Sequence, residues 1–204
     1  MEEEHRHLTR RTFALGAPSI QALKQRAAGS STFVALAAHA WICFAGSKSF
    51  SQDDEVVLVF LMDCRTRVDP PIRDDYFGNC VRLVYATSLA GELAGENGLA
   101  RACSAINKSI RDTSKDPLGD CENWVADFEA LPEGKVCNVS ASPRFRVYES
   151  DFGWGNPGRV ELVSMNYDGE VALVGGEEEG MVQVSVALNS TQMEAFAKSF
   201  LLAD

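Results

Sequence analysis

An α/β fold of the α+β kind, a mixed β-sheet covered by helices, is what this 204-residue sequence predicts. Three observations carry that expectation. Short β-branched segments alternate along the chain with stretches of helical periodicity, so strands and helices are interleaved. Hydrophobic residues make up 46% and charged residues 24%, a globular balance that leaves disorder to the termini. No internal repeat or low-complexity linker interrupts the chain, so 1–204 reads as one domain, with 1–7 as a flexible leader.

The elements follow in order. Residues 8–15, LTRRTFAL, alternate as a strand does. A helix follows in 17–29, with Pro18 in its first turn and Gly29 as its stop. Ser30 and Ser31 then cap a second helix. Its Phe33, Leu36, Ala37, Ala40, Trp41 and Phe44 recur at i, i+3, i+4, i+7, i+8 and i+11, one apolar face of an amphipathic helix. The nearly unbroken apolar run 55–64 predicts a central strand covered on both faces. Pro70 and Pro71 make 65–75 a loop, and 80–88 is the next strand. Leu99, Cys103, Ile106 and Ile110 keep a helical period across 93–110. A further helix is expected in 120–131 and a strand in 135–142. Three short strands come next, RVELVSM, GEVALVGG and MVQVSVAL, the first two joined by an NYDG turn. A capping box, Thr191-x-x-Glu194, opens the last helix.

The charge of −10 argues against a nucleic-acid partner, because phosphate backbones would be repelled. No apolar run reaches the roughly 20 residues that cross a bilayer, and the charged opening MEEEHRHLTRR lacks the apolar core of a signal peptide, so a cytoplasmic chain is expected. The six cysteines never approach CxxC or zinc-knuckle spacing, so buried reduced thiols and no metal are expected.

The segment DFGWG, 151–155, is the most informative. Gly153 and Gly155 flank Trp154 and permit backbone angles closed to other residues. Phe152 and Trp154 carry enough apolar area to pin such a loop. Asp151 beside them needs a cationic partner if it is desolvated, and Arg65 and Arg67 are the candidates for a bidentate contact.

DFGWG also resembles the signature of the BAHD acyltransferases, plant enzymes that move an acyl group from coenzyme A to an alcohol or amine. STFVALAAHAW, 31–41, and the span from DCRTRVDPP to YFGNC, 63–80, resemble two further family segments, in the family's order. YFGNC is similar to the form found in anthocyanin and flavonoid glucoside malonyltransferases. The resemblance covers the chain from residue 8 to the final helix and implies one chloramphenicol-acetyltransferase-like lobe, the second half of a bilobal enzyme. The family's catalytic base is the histidine of an HxxxD motif in the first half. None of His5, His7 and His39 has Asp at the fourth place after it, so no catalytic residue is expected in this chain.

The resemblance implies that acyl-CoA, as co-substrate, is held partly by this half. The start of the helix near Ser31 suits an anion through its free N–H groups and dipole. Ser30, Ser31 and Thr32 add hydroxyls, and Lys24 and Arg26 add charge. Plain N-capping is the alternative use of those hydroxyls. Asn79 and Cys80 are implied at the acceptor channel. Asn156 stands where the family often has a basic residue, and Asp151 is read as structural. Three functions stay open: the C-terminal lobe of an acyl-CoA-dependent O-acyltransferase acting on phenolic or flavonoid glycosides, inactive alone; a truncated non-catalytic relative that binds or regulates; or a carrier that binds coenzyme A weakly without turnover. The partners expected are an N-terminal acyltransferase half or a full-length relative. Residues 159–175 are expected to expose an edge or apolar face through which copies associate.

Overall fold

The computed structural model describes residues 8–140 and 142–201; the expected leader, with His5 and His7, lies outside them. One six-stranded mixed sheet organises the chain. Its strands are β1 (Leu8–Leu15), β2 (Glu55–Asp63), β3 (Val81–Leu89), β4 (Val136–Ser140), β5 (Glu170–Gly175) and β6 (Val182–Asn189), in spatial order β1-β6-β5-β4-β2-β3. β2, β4 and β5 run parallel, and the other neighbours pair antiparallel. The helices are α1 (Ala17–Arg26), α2 (Thr32–Ser47), α3 (Ala90–Ala94), α4 (Gly98–Thr113), α5 (Trp124–Glu129) and α6 (Ser190–Leu201).

α2 lies at the centre of the main core. The face expected to be apolar is buried from Leu36 to Phe44, with Phe33 half-buried, but so are Ala35, Ala38 and Cys43 on other sides. The helix is therefore enclosed, with α4 and α6 packed against it, rather than amphipathic. Its alanines let those neighbours come close. His39 on this helix is 7% exposed, and its Nε2 lies 3.0 Å from the Phe200 carbonyl, a structural hydrogen bond between α2 and α6.

Cys43, one turn beyond, has its sulfur within 4.0 Å of the His39 ring, and burial pushes its thiol from 9.0 up to about 12. The unfolded chain therefore loses this proton first. The stability held by the neutral thiol is complete below about pH 9 and is lost as the pH rises toward 12. Thermal melts between pH 8 and about 11 should show a shallower alkaline decline for Cys43→Ala than for the parent chain.

Several boundaries differ from expectation for identifiable reasons. β2 is covered on both faces from Val56 to Phe60, but Leu61 is 57% exposed because the covering layer ends there. The helical stretch 93–110 is divided between α3 and α4 by Gly95–Asn97. Residues 159–165 form no strand. Leu162 instead packs on Met165, Ala172 and Ala187, and the Val163 carbonyl accepts a bond from Arg10 at 3.3 Å. β5, expected in a poorly covered edge region, is interior between β4 and β6; the sheet edges are β1 and β3. Exposed apolar surface in 159–169 is carried by Val163 and Tyr167.

The NYDG turn therefore feeds β5 instead of closing a hairpin. Gly169 there has φ +86°, and a Cβ would stand 2.4 Å from the Val136 carbonyl, so glycine is required. At α6 the expected capping box is not formed. Asn189 Oδ1 accepts from the Thr191 N–H at 3.3 Å and from its hydroxyl at 3.1 Å, while Glu194 pairs with Arg11. Asn189 ends β6 and is already placed for the task.

Candidate functional site

The carboxyl ends of parallel β2, β4 and β5 lie at one end of the sheet, the usual position for a ligand crevice in α/β architecture. A groove of about 1180 Å³ opens there. Lys24 of α1, Ser31 and Thr32 at the start of α2, and Arg144 and Arg146 beyond β4 line one part of it. Tyr148 and Asn156 come from the following segment, and Glu177, Glu178 and Glu179 form an acidic lip between β5 and β6.

α2 begins here because Ser31 is extended (φ −60°, ψ 156°) and its Oγ accepts the Val34 N–H at 3.3 Å. The first turn carries no acidic residue, so no carboxylate of the helix itself offsets its positive end at the groove. Ser31 both caps the helix and lines the wall. Ser30 turns away, its hydroxyl donating to the Ala27 carbonyl at 2.7 Å, and neither it nor Arg26 lines the groove. The expected cluster is thus reduced to Lys24, Ser31 and Thr32.

Arg144 and Arg146 were missed in the sequence. Their signal was available: two arginines at i, i+2 shortly after the strand expected in 135–142, where a parallel strand delivers its loop to the crevice. Arg146 also pairs with Glu149 at 3.0 Å, and the Arg144 N–H donates to Ser142 Oγ at 3.3 Å. Tyr148 is buried, and its hydroxyl accepts from Gln183 Nε2 at 2.7 Å and from the Val160 N–H at 3.3 Å. It thereby ties the segment after DFGWG to β6.

The expected pairing of Asp151 with Arg65 or Arg67 does not occur. Gly153 and Gly155 adopt φ +96° and +92°, which curls the backbone around the carboxylate. Asp151 Oδ1 accepts their N–H groups at 2.7 and 3.0 Å and has no need of a distant cation. Arg65 bonds Asp63 Oδ1 at 3.1 Å and the Gly78 carbonyl at 2.8 Å. Arg67 bonds the Asp63 carbonyl at 2.7 Å and Ser114 Oγ at 3.2 Å. Both arginines hold the loop after β2. Phe152 and Trp154, expected to be buried, are 83% and 92% exposed.

Asn79 is exposed and Cys80 is buried, its carbonyl accepting the Cys64 N–H at 2.8 Å. Both sit at the same end of the sheet, at the start of β3, but outside the groove wall. Among the described residues no His, Cys, Asp or Glu group is placed to hold a metal, and no helix is long and apolar enough to cross a membrane.

Comparison with known proteins agrees with this geometry. A sequence model of the transferase family matches residues 2–202. Malonyl-coenzyme:anthocyanin 5-O-glucoside-6'''-O-malonyltransferase of Salvia splendens is 36% identical over 94% of this chain and 43% of its own length. The BAHD acyltransferase DCR of Arabidopsis thaliana is 34% identical over 85% of this chain and 38% of its own. In structure, vinorine synthase superposes with a TM-score of 0.81 at 17% identity, over 97% of this chain and 48% of that enzyme, which is a likeness of fold. The chain spans about half the length of the curated relatives it matches. With its sheet, its groove and a family match from residue 2 to residue 202, this chain belongs to the BAHD acyltransferases of the transferase family.

Proposed function

We propose that the chain is the C-terminal lobe of an acyl-CoA-dependent O-acyltransferase acting on plant phenolic or flavonoid glycosides, with the groove receiving the phosphate-bearing part of the coenzyme. The observation that carries this reading is the convergence on one groove of Lys24, Arg144 and Arg146 with the start of α2, whose first turn has no acidic residue. The similarity to a malonyltransferase that works on an anthocyanin glucoside supports the donor and acceptor class.

In the reaction, the acceptor hydroxyl attacks the thioester carbonyl, a C–O bond forms, the C–S bond breaks, and the coenzyme leaves as its thiol. The hydroxyl proton needs a general base. His39 is buried and bonded to the Phe200 carbonyl, so it cannot take that role. The base comes instead from the HxxxD element of a first lobe, which this lobe complements by holding the donor.

The test is reconstitution. The chain, alone and mixed with a separately produced N-terminal half bearing HxxxD, is given malonyl-CoA and a flavonoid glucoside, and product is read by mass spectrometry. Product is expected only in the mixture. Product from the chain alone would overturn the lobe assignment. Coenzyme binding without product in the mixture would favour the non-catalytic relative. A charge reversal tests the groove directly. Lys24→Glu and Arg144→Glu should each weaken coenzyme A binding about tenfold in calorimetry, the loss shrinking as salt is added. Unchanged affinity in both variants would place the coenzyme elsewhere.

A further inference from the structure

Cys64 and Cys80 stand at the two ends of the loop that separates β2 from β3. The β2–β3 ladder runs in antiparallel register to Asp63↔Val81, so the next rung sets Cys64 opposite Cys80. The Cys64 N–H donates to the Cys80 carbonyl at 2.8 Å, while the Cys64 carbonyl accepts from the Arg67 and Val68 N–H groups, so this rung is made on one side. Opposed residues on antiparallel strands project to the same side, with Cβ atoms about 4.5–5.5 Å apart and, on a hydrogen-bonded rung, Cα atoms about 5.5 Å apart. A disulfide takes Cα separations of about 4.4–6.8 Å and Cβ separations of about 3.5–4.5 Å. A small inward closure therefore suffices.

The side chains agree with the backbone. Cys64 is 0% exposed and Cys80 7%, and both belong to the main core cluster, on one face of the sheet. Both are free thiols. Burial raises the Cys64 thiol pKa, and the neighbouring Cys80 raises it further.

We propose that Cys64 and Cys80 form a reversible disulfide that cross-links the ends of the 65–79 loop when the protein meets a peroxide. Cys80, the more exposed of the two, attacks one peroxide oxygen as its thiolate. An S–O bond forms, the O–O bond breaks, and the leaving hydroxide takes a proton to become water. The Cys64 sulfur then attacks the Cys80 sulfenic acid. The S–S bond forms, the S–O bond breaks, and a second water leaves with the Cys64 proton. Overall two thiols and one hydrogen peroxide give one disulfide and two waters, the sulfurs being oxidised and the peroxide oxygens reduced.

The loop so tethered carries Tyr76, Phe77 and Asn79 on its surface and is otherwise held by Arg65, through Asp63 and Gly78, and by Arg67, through Asp63 and Ser114. A covalent closure beside Asn79 restricts the approach to the end of the sheet that carries the groove. It does not depend on the reaction proposed above.

The test uses the full chain and reads mass, not turnover. The chain is treated with hydrogen peroxide, its remaining thiols are alkylated with N-ethylmaleimide in denaturant, and it is digested with trypsin without reductant. The expected product joins the tryptic peptide ending at Arg65 to the peptide from Asp74 to Arg82, lighter than their sum by two hydrogens and separated by dithiothreitol. Cys121→Ser, which removes the exposed thiol, should leave this product unchanged, and Cys80→Ser should abolish it. Because Cys80→Ser disturbs the core, the unsubstituted chain supplies a second readout: its peroxide-treated form should melt several degrees above the reduced form and return on reduction. Full alkylation of both cysteines after peroxide, their conversion to sulfinic acid, or linkage of either to another cysteine would overturn the proposal.

Discussion

Asp168→Ala is expected to lower the unfolding free energy by about 2 kcal/mol, between the values for an exposed and a buried ion pair. Its partner Lys48 follows α2 and keeps only 7% of its side chain in solvent, against 33% for Asp168. The lysine ammonium also lies 5.0 Å from the Phe44 ring centroid, inside the core layer. Removing the carboxylate leaves the ammonium of a largely covered side chain with a neutral ring beside it. Asp168 Oδ1 further accepts the Asn189 N–H at 3.0 Å, so the same substitution frees the amide at the end of β6. Lys48→Met should cost less than about 1.5 kcal/mol, because the stem stays packed and only the charge goes. Lys48→Met combined with Asp168→Ala should recover most of the loss. Urea unfolding of the three variants, compared at equal m-value, measures this coupling. An Asp168→Ala midpoint equal to that of the parent chain would show that the pair does not hold the turn before β5.

The second large effect belongs to Trp41. Trp41→Ala should cost about 3–5 kcal/mol, the range for emptying an aromatic core position. The indole is 0% exposed on the most enclosed helix of the fold, where α2 meets its neighbours on several sides and leaves little room for collapse. Its Nε1 has no hydrogen-bond partner among the described residues, a burial cost that the ring's apolar area outweighs. Trp41→Phe should therefore lose less than about 1.5 kcal/mol, because the smaller ring removes an unpaired donor as well as some packing. A Phe variant as damaged as the Ala variant would mean that the indole shape, not the buried area, is what the site requires.

Most elements were legible because they depend on local pattern. β1, α1, α2 and β2 begin and end close to where alternation, Pro18, Ser31 and the Val-rich run put them. The misreadings occur where a distant partner decides. Residues 159–165 have the composition of a strand but lie along no ladder, since β5 is already flanked by β4 and β6. Thr191 lost its cap to Asn189, and Asp151 found its donors in Gly153 and Gly155 before any arginine could reach it. The site was half legible. Lys24, Ser31 and Thr32 are adjacent in sequence to a helix start, whereas Arg144 and Arg146 join them only because β4 runs parallel to β2 and β5.

The sequence by itself determined the interleaved strands and helices, the α2 N-cap, the family resemblance and the absence of an HxxxD histidine among its three histidines. These are properties of spacing, fixed within a turn or a few residues. Only the tertiary structure decided which charges share a groove, that Asp151 is satisfied by its own loop, and that Cys64 faces Cys80. Each of these depends on strand order and register, which bring together residues that are distant along the chain or separated by an intervening loop. No local periodicity encodes such a choice.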